Sequence, residues 1–198
     1  YKFDTTIMNK LNANITRSWE EGNVFLWYKI EPEKGKFNWE HADDYVERCR
    51  KAGIEILGVL GYPSRWASQK PTETEYKEAE KRGYPIDPRP ARWKPGSIEE
   101  WGNYVYQTVK RYKGKVKYWE IYNEVNFHLP YKAATFTGST EEYLELLKEA
   151  YKQAKRADPD CKILVSGFAP PYDKVVDKEM ALLLTKPEYS EGYYDIYN

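Results

Sequence analysis

The sequence predicts an α/β fold built on a parallel sheet, and three observations carry that expectation. Short apolar runs alternate with longer segments whose apolar residues recur at helical spacing, which is the pattern of βαβ units. Two serine capping boxes, Ser97 with Glu100 and Ser139 with Glu142, mark helix starts, while Gly53, Gly114 and Asp158-Pro159 mark helix ends. Neither a GxGxxG turn nor a GxxxxGK[ST] loop occurs, so the phosphate-binding turns of nucleotide-binding open sheets are missing. The pattern by itself leaves open whether the sheet stays flat or closes on itself.

The elements follow in order. Residues 1–11 read as a helix and 13–17 as a short strand. From Asn38 a helix is expected, because Ala42, Tyr45, Val46, Cys49 and Ala52 share one face and Gly53 sits at the left-handed cap. Residues 55–61 form a continuous apolar run of the kind a buried parallel strand shows. A long connection spans 62–96, where six prolines rule out one continuous helix and where Tyr62, Trp66, Tyr84 and Trp93 argue for an ordered, functional loop. Ser97 opens a helix whose inner face is Trp101, Tyr104, Val105, Thr108, Val109 and Tyr112, and the strand 116–123 follows. A third capped helix carries Tyr143, Leu146, Leu147, Ala150, Tyr151 and Ala154 on its inner stripe. Residues 162–167 read as a further strand, 176–184 as a further helix, and 193–198 as the start of another strand.

At 198 residues the chain has the length of one domain with a sizeable core. Lys+Arg and Asp+Glu number 31 each, so no net field points to nucleic acid or an anionic membrane, and the expected substrate is neutral. Aromatic residues make up 16%, with 19 Tyr and 7 Trp. Their flat apolar faces and polar handles suit sugar rings, although filling a core and its rim is the plainer use of them. Two cysteines and two histidines indicate neither a disulfide framework nor a His-rich metal site, and no cofactor is expected. No run of 18 apolar residues appears, and the first residues do not show the charged, then apolar, then small-residue pattern of a signal peptide. Asn14-Ile-Thr16 matches a glycosylation acceptor, but the expected strand discounts it.

The chemistry concentrates in Tyr118-Trp-Glu-Ile-Tyr-Asn-Glu-Val-Asn126. A strand ends at Asn123 and Glu124, and in a parallel barrel the C-terminal strand ends face the active site. A carboxylic acid there, among rings that exclude water, would have its pKa raised towards the range useful for proton donation at neutral pH. Asn123 beside it would hold the hydroxyl next to a scissile glycosidic bond.

This stretch resembles the Asn-Glu motif that ends the fourth strand in clan A of the glycoside hydrolases. The segment from Phe25 to Trp39, with its Glu31-Pro32 and Gly35, is similar to the clan's W-x-x-x-E-P-x-x-G-x-[FY]-[ND] stretch. Residues 138–167 look like its fourth helix and fifth strand, and Arg17 stands where such enzymes carry a second-strand arginine. Residues 30–35 and 111–115 resemble family 10 xylanases, whereas the helix after Ser139 looks more like the β-xylosidase and related β-glycosidase families. The family 10 Glu and Lys before the second-strand Trp are absent, since Val24-Phe25-Leu26 precede Trp27, and Val59-Leu-Gly-Tyr-Pro63 replaces its TLVWH stretch.

The resemblance implies an incomplete (β/α)8 TIM barrel covering about strands 2 to 6, with strand 1 and strands 7 and 8 missing. It implies a retaining hydrolase of a β-linked polysaccharide or oligosaccharide, with xylan or xylo-oligosaccharide the leading substrate. Glu124 would be the acid/base, with Asn123, Arg17, His128, Trp66, Tyr62 and Trp93 as substrate-binding residues. Such an enzyme is expected to be secreted. The nucleophile would lie outside the chain, and the rest of the barrel would come from the same parent polypeptide or a second chain. Plainer alternatives stand beside these roles: Arg17 as a solvated strand-end charge, His128 as an ordinary loop residue, and the loop aromatics as pins. A non-catalytic carbohydrate-binding barrel without the nucleophile, and a doubly wound binding protein, are the rival readings of the whole.

Overall fold

Four strands form one parallel sheet: β1 (Ile15–Arg17), β2 (Glu55–Leu60), β3 (Tyr118–Ile121) and β4 (Lys162–Leu164), hydrogen-bonded in the order β1-β2-β3-β4. The structure, a computed structural model, describes residues 4–81, 86, 88–125, 136–168 and 192–196. Each connection carries the chain one strand further in the same direction. Right-handed crossovers of that kind set their helices on one face of the sheet. A doubly wound sheet reverses its strand order part-way and covers both faces, and no reversal occurs among these strands. The architecture is that of a (β/α)8 barrel, of which the four strands are a consecutive arc.

Among the described residues six α-helices accompany them: α1 (Thr5–Lys10), α2 (Trp27–Ile30), α3 (Glu40–Lys51), α4 (Glu73–Lys81), α5 (Ile98–Arg111) and α6 (Thr140–Ala157). The expected inner face of α5 is buried throughout, as are Ala42, Tyr45, Val46 and Cys49 of α3. At Ser139 the capping box is complete: the Ser139 Oγ accepts from the Glu142 N–H at 3.2 Å, and the Glu142 carboxylate accepts from the Ser139 N–H at 2.8 Å. At Ser97 only half of it forms. Ser97 Oγ accepts from the Glu100 N–H, but the Glu100 carboxylate is drawn 2.6 Å from Lys34 Nζ instead.

Two expectations change. The connection 62–96 contains α4, framed by Pro71 before it and Pro85 after it; with no buried residue of its own, α4 lacks the apolar stripe that reveals a helix in sequence. The aromatic-rich connection after β1 likewise contains α2. At the other end, Ile196, the last described residue of the strand expected over 193–198, makes a parallel bridge to Leu164. The helix expected at 176–184 lies outside the described residues.

A block of large aromatic rings fills the space between sheet and helices. Trp27, Trp101, Trp119, Tyr45, Tyr104, Tyr112, Tyr122 and Tyr143 are fully buried. Trp27 stacks on Tyr104 with ring centroids 5.1 Å apart, and Phe25 meets Trp119 edge-on at 5.1 Å. Gly58 in β2 is what lets Trp119 lie there, since a Cβ at that position would stand 2.5 Å from two atoms of the indole ring. Gly58→Ala is therefore expected to lower the free energy of unfolding by about 1 to 3 kcal/mol, as overpacking does, measured by denaturant titration.

Candidate active site

The site residues gather at the C-terminal ends of β1, β2 and β3, the end at which parallel barrels work. Arg17 is the last residue of β1, and its guanidinium forks onto Glu120 of β3: Nε to Oε2 at 2.8 Å and one terminal nitrogen to Oε1 at 2.8 Å. The same terminal nitrogen donates to Asn123 Oδ1 at 2.7 Å. Glu120 is fully buried, and its Oε1 also accepts from the Gly167 N–H at 3.0 Å, just beyond β4. One carboxylate thus ties three strand ends together. A bidentate arginine pair of this kind fixes orientation as well as charge.

Beyond β3 the chain turns sharply. Tyr122 and Glu124 both adopt left-handed backbone, with φ of 64° and 50°. Side chains other than glycine and asparagine rarely enter that region without surroundings that hold them there. Here the Tyr122 N–H bonds to Leu60 O at 2.7 Å and the Glu124 N–H bonds to Gly167 O at 2.9 Å, so neighbouring strand ends pin the turn. Glu124 stands half-buried at this tip, next to Asn123.

Tyr62, just past β2, joins the cluster. Its backbone is also left-handed, at φ 57°, and its hydroxyl donates to Asn123 O at 3.3 Å. Burial pushes the phenol up to about 12; the Arg92 guanidinium opposes that rise, and the Glu124 carboxylate adds to it. Tyr62 therefore holds its proton at neutral pH and acts as a donor. Arg17 also lies over the Trp19 ring, 5.2 Å from its centroid.

The remaining expected residues lie apart from that network or outside view. Trp66 donates its indole N–H to Glu31 O at 3.1 Å and packs edge-on against Trp27 at 5.7 Å. Trp93 closes the short 3-10 turn Pro90–Arg92 and is half-buried. His128 lies outside the described residues. Among the described residues, no group of three or more His, Cys, Asp or Glu is arranged to hold a metal ion, and no helix is long and apolar enough to cross a membrane.

The cluster includes a residue that sequence reading passed over. Glu120 is a charged residue between Trp119 and Ile121 in a central strand, and that misplaced charge is the signal it offered. Apart from the cluster, Glu31 is buried too: its carboxylate accepts from Trp27 Nε1 and the Gly35 N–H at 2.8 Å each, while its carbonyl accepts from Ser64 Oγ and Trp66 Nε1. Gly35, at φ 76°, makes the turn that brings its N–H back to that carboxylate.

A parallel barrel arc with an Asn-Glu pair on the third of these strand tips, gripped by an arginine from the first, defines a clan A glycoside hydrolase. The model of glycosyl hydrolase family 10 matches residues 4–185, and the chain belongs to that family. It is similar to endo-1,4-beta-xylanase C of Paenibacillus barcinonensis, with 27% identity over 161 residues, covering 74% of this chain and 14% of the relative. It is also similar to beta-galactosidase BbgII of Bifidobacterium bifidum, at 29% over 133 residues, covering 63% of this chain and 18% of the relative. The chain thus spans less than a fifth of the length of these curated relatives. Xylanase 10B of Thermotoga maritima shares the fold, with a TM-score of 0.62 and 18% identity over 93% of this chain and 51% of that one.

Proposed function

We propose that this chain is part of a retaining glycoside hydrolase that cleaves the β-linked backbone of xylan or xylo-oligosaccharides, with Glu124 as acid/base. The observation that carries the reading is the position of Asn123 and Glu124. They occupy a strand tip in a parallel barrel, with Asn123 fixed from two sides by Arg17 and Tyr62. Glu124 protonates the glycosidic oxygen as the bond to the anomeric carbon breaks, and a second carboxylate from outside these residues attacks that carbon. Glu124 then takes a proton from the water that frees the sugar. Asn123, its side-chain oxygen held by Arg17, keeps its amide N–H groups for the hydroxyl beside the reacting carbon. Glu120 serves neither carboxylate role, because both of its oxygens already accept bonds from Arg17 and Gly167.

The test is product stereochemistry. The full-length protein acting on xylohexaose, followed by proton NMR before mutarotation, is expected to release the β-anomer first. Initial α-anomer would rule out retention, and release of no reducing ends from xylan or its oligosaccharides would remove the hydrolase reading.

A further inference from the structure

The long connection between β2 and α5 turns back on itself, and its far end has no part in the chemistry described so far. Helix α4 stands at its middle, while its two ends are stitched together: Ser68 Oγ donates to Pro90 O at 2.9 Å, the Gln69 N–H to Lys94 O at 2.9 Å and the Gly96 N–H to Ala67 O at 2.8 Å. This stitching delivers Arg92, half-buried at the end of the 3-10 turn Pro90–Arg92, to the ring of Tyr62 at the start of the same connection. The Arg92 guanidinium stands 5.1 Å from the ring centroid. Tyr122 and Trp19 pack around the same ring, with centroids 5.5 and 6.1 Å away, and Tyr62 is 2% exposed.

The Tyr62 hydroxyl reaches the one peptide unit that precedes Glu124. Asn123 O accepts from that hydroxyl at 3.3 Å, and the Glu124 N–H of the same unit donates to Gly167 O at 2.9 Å. A peptide unit is planar and turns as a whole, so a rotation that freed either end would change ψ of Asn123 and φ of Glu124 together. Glu124 sits at a left-handed φ of 50°, a region that a residue other than glycine keeps only with such support. The direction in which the Glu124 carboxyl leaves the backbone is thus set by two bonds, one to Gly167 and one from Tyr62. Arg92 acts on the second. A cation over an aromatic face is attracted by the ring quadrupole and holds the ring where it lies. Its charge also opposes the rise that burial gives the phenol's pKa, which makes the hydroxyl a better donor.

We propose that Arg92 is a positioning residue for the acid/base: it fixes Tyr62, which holds the Asn123–Glu124 peptide and so aims the Glu124 carboxyl at the glycosidic oxygen. This role rests on the hydrolase reading above and gives the long connection a task in it. Arg92 acts through the Tyr62 hydroxyl and needs no contact with the substrate.

A double-mutant cycle on the full-length protein tests this, read by steady-state kinetics on an aryl β-xyloside with a poor leaving group, where the departing oxygen needs the proton of Glu124. Arg92→Gln is expected to lower kcat about tenfold while KM stays within about twofold, the size of a cation–π contact expressed in the transition state. Arg92→Lys, which returns a cation to the ring, is expected to recover part of the loss. Tyr62→Phe keeps the ring and removes only the hydroxyl; it is expected to cost about as much as Arg92→Gln, and adding Arg92→Gln to it should cost less than about twofold more. Arg92→Met, which keeps the stem along the ring without the charge, is read in the same way should Arg92→Gln fail to fold. An unchanged kcat, a loss carried by KM, an Arg92→Lys no better than Arg92→Gln, or a loss that returns in full on top of Tyr62→Phe each overturns the proposal and leaves the hydrolase reading standing. No turnover of aryl β-xylosides or xylo-oligosaccharides by the unaltered protein overturns both.

Discussion

Glu124→Gln is expected to lower kcat on aryl β-xylosides with poor leaving groups by about 10²- to 10⁴-fold, the contribution of a positioned general acid and base. The amide keeps the size and half-burial of the side chain but has no proton to give. Substrates whose leaving group departs unaided should therefore lose much less in the first step and stall in the second, where no base is left to activate water. Azide, an anionic nucleophile that needs no base, should then restore turnover and yield a glycosyl azide. Steady-state kinetics across a leaving-group series, with and without azide, reads both halves of this. Equal and mild losses on all substrates would remove Glu124 from the role.

Arg17→Met is expected to cost about 3 kcal/mol of stability, because it leaves the fully buried Glu120 carboxylate without its cation. Arg17 itself is 30% exposed in its side chain, which places the effect at the lower end of what breaking a buried pair costs. For a chain of this length that corresponds to a fall in Tm of about 6 to 12 °C. Adding Glu120→Gln to Arg17→Met should recover part of the loss, since the uncompensated charge disappears with it. A double-mutant cycle in denaturant measures the coupling directly. A loss below about 1 kcal/mol for the single variant would mean that the pair behaves as a surface contact. Activity should fall as well, because Asn123 Oδ1 loses the donor that orients it.

The parts of the fold written in local pattern could be read in advance. The buried stripes of α3, α5 and α6, the caps at Ser97 and Ser139 and the parallel strands all follow from spacing along the chain. The parts held by distant partners could not. Nothing in the identities of Tyr122 and Glu124 announces left-handed backbone, which is held where Leu60 and Gly167 supply carbonyls from neighbouring strand ends. Helix α4 stayed hidden because it has no buried face. Within the site, Asn123, Glu124, Arg17 and Tyr62 converge as a motif at a strand tip suggests. Trp66, read as a surface for sugars, spends its indole N–H on Glu31. Glu120 and Arg92 went unread because their importance lies in partners that only folding reveals.

The buried Glu31 hub has a further consequence. It gathers donors from α2, from the Gly35 turn and from the segment past β2, so two connections that are far apart in sequence share one anchor. The proposed function then predicts that a saccharide reaching these connections meets a wall already set in shape, so that little of its affinity is spent on immobilising loops.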